Sequence, residues 1–408
     1  MFDGLSGLLP IRRETSVENI EGFHRASSAG EVVTDTSALA LSAVWACVNL
    51  ISGTISSLPL MVYQTKSDGS RIVARDHAVY KLLHDSPNYD QTAVDFWDFI
   101  AASIELRGNG YARIIRDGGR IVSLDPINPS RMSVRRLING EIEYRWNSQG
   151  KPYVGTSRDV LHIRGFGGDP LGGMSTLRFA RDTFGLAQAT RRAAGEMFVN
   201  GLRPTGVLKF KPWLNDEQRT IARRELADKI GAGNNGTPLI LEGDTDWQQL
   251  TLSPEDAQML ETQGFSVEEI CRFFQTPPPM IGHTSKASSW PTSIEQQVLN
   301  FLTFTMRRRL KRIEQAIEKQ LLTPVDRARG IVVEFNLTGI LRGDSKGRSS
   351  FYQTMTSIGA MTINEVRRLE NLPPVEGGDV PRMQMQNVPI TETDEERELI
   401  PRRNDNED

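Results

Sequence analysis

Five histidines, two cysteines, one glycine cluster and one block of arginines hold most of the chemical potential of this 408-residue chain. His24, His77, His84, His162 and His283 are scattered, with no HExxH pair and no His/Cys grouping at ligand spacing, so a metal centre has no anchor. Each reads as an ordinary core or surface histidine. Cys47 and Cys271 are the only thiols, too few and too far apart for a disulfide framework or a cysteine zinc site. A reducing, intracellular place of synthesis is the default that follows. The cluster Gly165-Phe166-Gly167-Gly168-Asp169-Pro170-Leu171-Gly172-Gly173 lacks the third glycine at dinucleotide spacing and reads as a flexible joint. No GxxxxGK[ST] phosphate loop and no GxSxG elbow occur, which argues against an ATP-driven motor and a hydrolase triad. The expectation is a protein with no catalytic residues, no metal and no cofactor.

Two features remain. The stretch 276–291, TPPPMIGHTSKASSWP, cannot continue a helix, because three consecutive prolines remove donors and fix φ. Connections of that length are usually functional. Its His283, Thr284, Ser285, Lys286, Ser288 and Ser289 are small, polar and nearly neutral, suited to touching a polyanion lightly without trapping it. Next comes a helix expected over 292–322. Val298, Leu302, Met306, Leu310, Ile313, Ile317 and Leu321 form its apolar stripe, and Arg307, Arg308, Arg309, Lys311, Arg312 and Lys319 decorate its other faces. These bases suit a solvated or subunit-interface role, or contact with a DNA backbone; both readings stay open.

Composition sets the frame for these features. The 48 Lys+Arg nearly cancel 51 Asp+Glu, for a net charge of -3, which argues against a protein that coats nucleic acid by charge. At roughly 100–200 residues per domain, two or three structural units are expected. The N-terminal MFDGLSGLLPIRRETS lacks the basic-then-apolar order of a signal peptide, so secretion is not expected. The stretch 38–58 is free of charge but rich in Ser, Thr, Asn and Gly, too polar for a membrane span. Val44, Cys47, Val48, Ile51, Ile55 and Leu58 recur at helical steps, so a buried helix is expected and no membrane.

Stepping along the chain, residues 1–35 read as a mobile arm. Two short strands around Asp68-Gly69 are expected within 60–75, a helix over 93–106, and strands at 111–115, 121–124, 131–137, 141–146 and 160–163. One long helix is expected over 175–198. A small insert follows, with strands at 205–210, 238–241 and 247–252 and a helix 216–230 capped by Asn215. A second helix over 254–275 is expected to break near Gly264 and restart at Ser266, which has a capping-box spacing to Glu269. A strand at 331–337 and helices at 344–359 and 362–371 come before an acid-rich, disordered tail from 381.

The segments ALSAVWACVNLISGTISSLPLMVY, HAVYKLLHDSPN, LRGNGYARIIRDGGRIVSLDPINP, DVLHIRGF, GMSTLRFARDTFGLAQATRRAAGEMFVNGLRPTGVL, SPEDAQMLETQGFSVEEICRFFQTPPPMIG and ILRGDSKGRSSFYQTMTSIGAMTINEVRRLENLPPVEGGD run from about Ala38 to Asp379. In this order they resemble the portal (head-tail connector) proteins of tailed double-stranded DNA bacteriophages, of the siphophage and prophage type. The resemblance implies an α+β subunit with a mixed α/β wing (36–172, joined by 292–337), a helical stem (173–200 and 253–275), a small α/β clip (201–252) and a helical crown (338–380). The loop 276–291 would be a tunnel loop facing DNA. It further implies a homo-oligomeric ring, typically of twelve copies, at one capsid vertex of the virion, assembled in the bacterial host cytoplasm. Implied partners are double-stranded DNA without sequence specificity, a terminase large subunit, a head-completion adaptor, and major capsid and scaffold proteins. One departure is Gln263-Gly264, where the family often carries a basic pair, which puts a basic ring at that stem position in doubt.

A conduit explains the weak charge. Duplex DNA offers about one charge per 1.7 Å of axis, so a heavily basic bore would hold it through many contacts and resist sliding. Two other readings are a DNA-processing enzyme of the packaging apparatus, disfavoured by the missing nucleotide and metal motifs, and a membrane-embedded scaffold resting only on 38–58.

Overall fold

Polar caps and glycine stops decide where the helices of this chain begin and end. The computed structural model describes residues 16–17, 26–199, 206–210, 215–221, 224, 245–249, 254–283, 294–337, 345–370 and 372–382. It divides into two units, Met1–Phe335 and Asn336–Asp408.

In the first unit, α1 (Asp35–Leu39) leads into α2 (Ser42–Ser57), whose Val44, Cys47, Ile51 and Ile55 are buried as the periodicity predicts. No helix among the described residues is long and apolar enough to cross a membrane. Strands β2 (Leu60–Thr65) and β3 (Arg71–Val73) flank the Asp68-Gly69 turn, where Asp68 Oδ1 accepts from Ser70 N at 2.8 Å. A short helix, α3 (Ala78–His84), was not expected from the sequence. Helix α4 (Ala93–Arg107) opens on a Thr92–Asp95 capping box and stops at Gly108, whose φ of 75° is the left-handed conformation that glycine takes at least cost. Phe96, Trp97, Ile100 and Ala101 pack its inner face, and Trp97 Nε1 donates to Leu83 O at 3.1 Å.

Strands β4 (Asn109–Asp117), β5 (Arg120–Ile127) and β9 (Val160–Arg164) form an antiparallel sheet in the order β5-β4-β9. A second sheet holds β6 (Met132–Arg136), β7 (Ile142–Ser148) and β8 (Lys151–Thr156), with β1 (Ser16–Val17) pairing on the outside of β6. Of the 1–35 stretch, the described residues are thus held at Ser16–Val17, and again where Ser28 N donates to Asp182 Oδ1 at 2.8 Å. Strand β8 was missed because Pro152 and Gly155 disguise it, and it is an edge strand, where proline is tolerated. Tyr111, Met132, Val134, Tyr144, Trp146 and Leu171 form one core cluster here.

Three expectations need correction. The helix over 175–198 is two helices, α5 (Thr176–Phe179) and α6 (Arg181–Val199), interrupted at Ala180. Conversely, α7 (Pro254–Phe274) runs through Gly264 without a break, and the Ser266–Glu269 cap does not form. Ser266, Ile270 and Phe274 lie at four-residue steps and are all buried, so packing one helix face outweighs the roughly 1 kcal/mol cost of an interior glycine. The helix over 292–322 begins at α8 (Ile294–Asn300), passes through a π-helical turn at Phe301–Met306, and continues as α9 (Arg307–Gln320). The wider turn places both Phe301 and Met306 inside, five residues apart, and leaves the stripe residue Val298 only half-buried.

Helix α9 also closes two sheet edges. Gln320 brackets β9, accepting from His162 N at 2.9 Å and donating to His162 O at 3.0 Å. Glu314 and Glu318 accept from Phe335 N and Val333 N of β12 (Ile331–Phe335) at 2.9 and 3.1 Å. The other edge of β12 pairs with β2, giving the order β12-β2-β3. Between them, α10 (Pro324–Ala328) opens on a Thr323–Asp326 capping box.

Of the insert, β10 (Gly206–Phe210) pairs antiparallel with β11 (Thr245–Gln249). The expected Asn215 cap forms, its Oδ1 accepting from Gln218 N at 2.8 Å. The strand expected at 238–241 lies outside the described residues, as does the tail beyond 382. In the second unit, α11 (Ser345–Ser357) and α12 (Ile363–Leu369, capped by Thr362 and Glu365) are joined by a Tyr352–Glu370 hydrogen bond of 2.7 Å. Buried Asn364 pins the following turn through Val375 and Asp379.

Candidate functional site

The loop and its arginine helix are positioned by the ends of α7 and α9. Helix α7 stops at Gln275, whose φ is 56°, and the three prolines fold into a 3₁₀ turn, Pro278–Ile281, ended by Gly282. His283 follows, half-buried, its Nε2 4.0 Å from Glu268 Oε1. Thr284, Ser285, Lys286, Ser288 and Ser289 lie outside the described residues.

The expected basic cluster divides into three groups. Arg309 is spent inside the chain, its Nε and Nη2 each 2.8 Å from the two carboxylate oxygens of Glu105 on α4. It also donates to Phe274 O at 2.9 Å and Thr305 O at 2.8 Å, while Thr305 Oγ1 donates to Gln275 O at 2.6 Å. One guanidinium therefore ties α4, the end of α7 and the π-turn together. Glu105 is buried, so this is a bidentate pair largely removed from water. Lys311 reaches Glu314 at 2.7 Å, which raises its pKa through that hydrogen bond.

Arg308 and Arg312 instead face a cavity of about 390 Å³ that Arg164 and Arg272 also line. Their guanidinium carbons stand 5.2 and 6.0 Å from the Phe166 ring centroid, a cation–π arrangement. Arg164 Nε is buried with no hydrogen-bond partner. Burial, then the neighbouring Arg308 and Arg309, lowers the pKa of Arg312. Arg307 is exposed. Neither Arg164 nor Glu105 carries a local sequence signal, and Glu105 lies 204 residues from its partner.

The other singled-out residues are structural. Buried His162 sits between Tyr144 OH (3.2 Å from Nδ1) and Asn109 Oδ1 (2.9 Å from Nε2), and burial, with Arg164 nearby, holds its pKa well below the usual 6.5. Cys47 and Cys271, remote in sequence, meet as hydrogen-bonded thiols between α2 and α7, which raises the pKa of Cys47 and lowers that of Cys271. The glycine cluster is no flexible joint. A Cβ on Gly173 would stand within van der Waals overlap of Gly108 O, and Asn109 Oδ1 accepts from Gly173 N at 2.9 Å. No group of three or more metal-ligating side chains occurs among the described residues.

This combination of three sheets, paired long helices, an inserted two-stranded pair and a proline-led loop is an α+β portal-type architecture. The phage portal protein family model matches residues 42–371, and the chain belongs to that family, in its siphophage and prophage branch; its function is that of a capsid portal. It is 34% identical over 375 residues to the portal protein of Enterobacteria phage HK97, covering 91% of this chain and 88% of that protein. The fold is similar to a chain in the virion of a native gene transfer agent particle (TM-score 0.61, 23% identity, 83% of this chain and 92% of that one). It is also similar to a chain in the neck of that kind of particle, computed with C12 symmetry (TM-score 0.58, 22% identity, with the same coverage).

Proposed function

We propose that copies of this chain, twelve by analogy with the C12 neck, close into a non-enzymatic ring at one capsid vertex of the virion. Double-stranded DNA enters through the ring in packaging and leaves through it in ejection. In this reading 36–172 with 292–337 is the wing, 173–200 and 253–275 the stem, 201–252 the clip, and 338–380 the crown. The loop 276–291, with His283, Thr284, Ser285, Lys286, Ser288 and Ser289, faces the duplex. The clip docks a terminase large subunit and then a head-completion adaptor, the wing meets capsid and scaffold proteins, and assembly takes place in the host cytoplasm.

The observation that carries this reading is how the bases at the loop's root are used. Arg309 is tied inside the chain, Lys311 pairs with Glu314, and Arg308 and Arg312 line a cavity, which leaves exposed Arg307 as the one base of the cluster outside these groupings. A channel that must let DNA slide gains from that economy, since each phosphate neutralised adds a contact to be broken. Electron micrographs of the purified protein are expected to show closed rings with an axial hole. Monodisperse monomers under all conditions would overturn it.

A further inference from the structure

The two ends of α4 differ in shape and in charge. At its N-terminal end, Tyr89 is fully exposed, with Val94 half-exposed beside it. The loop that presents Tyr89 is fixed rather than loose. Asn88 is buried, donates to Leu124 O at 3.0 Å and Gln91 Oε1 at 2.9 Å, and accepts from Gln91 N at 2.9 Å. Ser86 Oγ donates to Gln91 O at 2.9 Å. A rigid loop that holds an aromatic ring in water without local cover is built to be covered by something else. The same end carries exposed Asp85, Asp90 and Asp95.

The C-terminal end of α4 borders the arginine-lined cavity. Ala101, Ile104 and Glu105 form part of its wall, and Glu105 is already neutralised by Arg309. Arg164, Arg308 and Arg312 are left facing the space, and Phe166, Met174 and Phe179 stand exposed on its rim. Arginine, methionine and aromatic side chains around a concave site are the composition of a protein interface core rather than of a small-anion site. Fifteen helical residues at about 1.5 Å each make α4 about 22 Å long, with the acidic knob at its start and the basic hole along its C-terminal half.

We propose that the Tyr89–Asp90 knob of one copy seats in the arginine-lined cavity of the next copy round the ring. The Tyr89 ring lies against Phe166 and Met174, and the Asp90 carboxylate pairs with Arg308 and Arg312. A knob and a hole on different surfaces of one subunit make a head-to-tail contact, the type that gives a ring when its rotation closes. The inference rests on the ring reading above and specifies which surfaces close it.

The test joins the rims while sparing the proposed contacts. In a Val94→Cys/Phe179→Cys double variant, a short bismaleimide is expected to give a ladder of covalent multimers, with neither single variant doing so. The native Cys47 and Cys271 are buried and serve as the unreactive background. Asp90→Arg is expected to raise the concentration needed for assembly at least tenfold, and adding Arg308→Asp to restore it. Rings in micrographs without a ladder or a charge-swap rescue would overturn the knob-and-hole contact and leave the ring standing. Absence of rings in the unmodified protein would overturn both. An Arg308→Glu/Arg312→Glu variant that assembles normally but loses binding of inorganic phosphate or duplex DNA would assign the cavity to a free polyanion instead.

Discussion

Around Tyr144 the chain is held by shape, and at the crossing of α4, α7 and α9 it is held by direction. In the first region Tyr111, Met132, Val134, Tyr144 and Trp146 fill a core whose one polar chain, Tyr144–His162–Asn109, lies within it. In the second, one guanidinium makes four hydrogen bonds to three elements, and the space beside it is left open. Close packing resists every displacement, whereas a polar tie resists only those that break its geometry. The core around Tyr144 is therefore the frame, and the crossing is the part whose geometry rests on a few directed bonds.

The contrast breaks most directly in the core. Tyr144→Ala is expected to lower unfolding stability by about 3–5 kcal/mol, as aromatic-to-alanine changes in cores do, and no second deletion should rescue it. Urea midpoints at fixed protein concentration give the measurement. Arg309→Ala should cost about 3 kcal/mol by leaving Glu105 buried and unpaired, yet Arg309→Met combined with Glu105→Leu should recover most of it. A double variant as unstable as the single one would mean that the crossing, too, is held by shape. The smallest effect is in pH. His162 stays neutral when folded, while the unfolded chain takes up a proton below about pH 6.5. Its folded pKa is depressed, so the stability it contributes is present above about pH 6.5 and is lost as pH falls, at about 1.4 kcal/mol per unit. Denaturation midpoints at pH 7, 6 and 5 should show that slope, and His162→Gln should flatten it.

Local patterns explain what could be read in advance. The α2 stripe, the Asp68-Gly69 turn and the cap at Asn215 each need only a few neighbouring residues, and each formed. The Ser266–Glu269 pair carries the same local pattern and failed, because Ile270 and Phe274 commit that face to the core. Short elements such as α3 offer too few residues for a period to emerge. The family segments were legible as an ordered series, and the α+β class with them. The candidate site was legible as a loop and a run of bases. Its organisation was not, since Arg309–Glu105 and the Arg164–Phe166–Arg308 grouping join residues from separate elements.

The meeting of Gly108, Gly165 and Gly173 gives the subunit a joint without bearings. Three stretches of main chain touch with no side chain between them, Gly165 N donating to Gly108 O at 2.7 Å. The aim of the 165–173 segment is thus set from inside, by this backbone meeting, by Asn109 Oδ1 on Gly173 N and by buried Leu171, rather than by its surface side chains. Evolution is left free to exchange the rim residues Phe166 and Met174, altering what the segment grips, while the three glycines keep the angle at which it is held out.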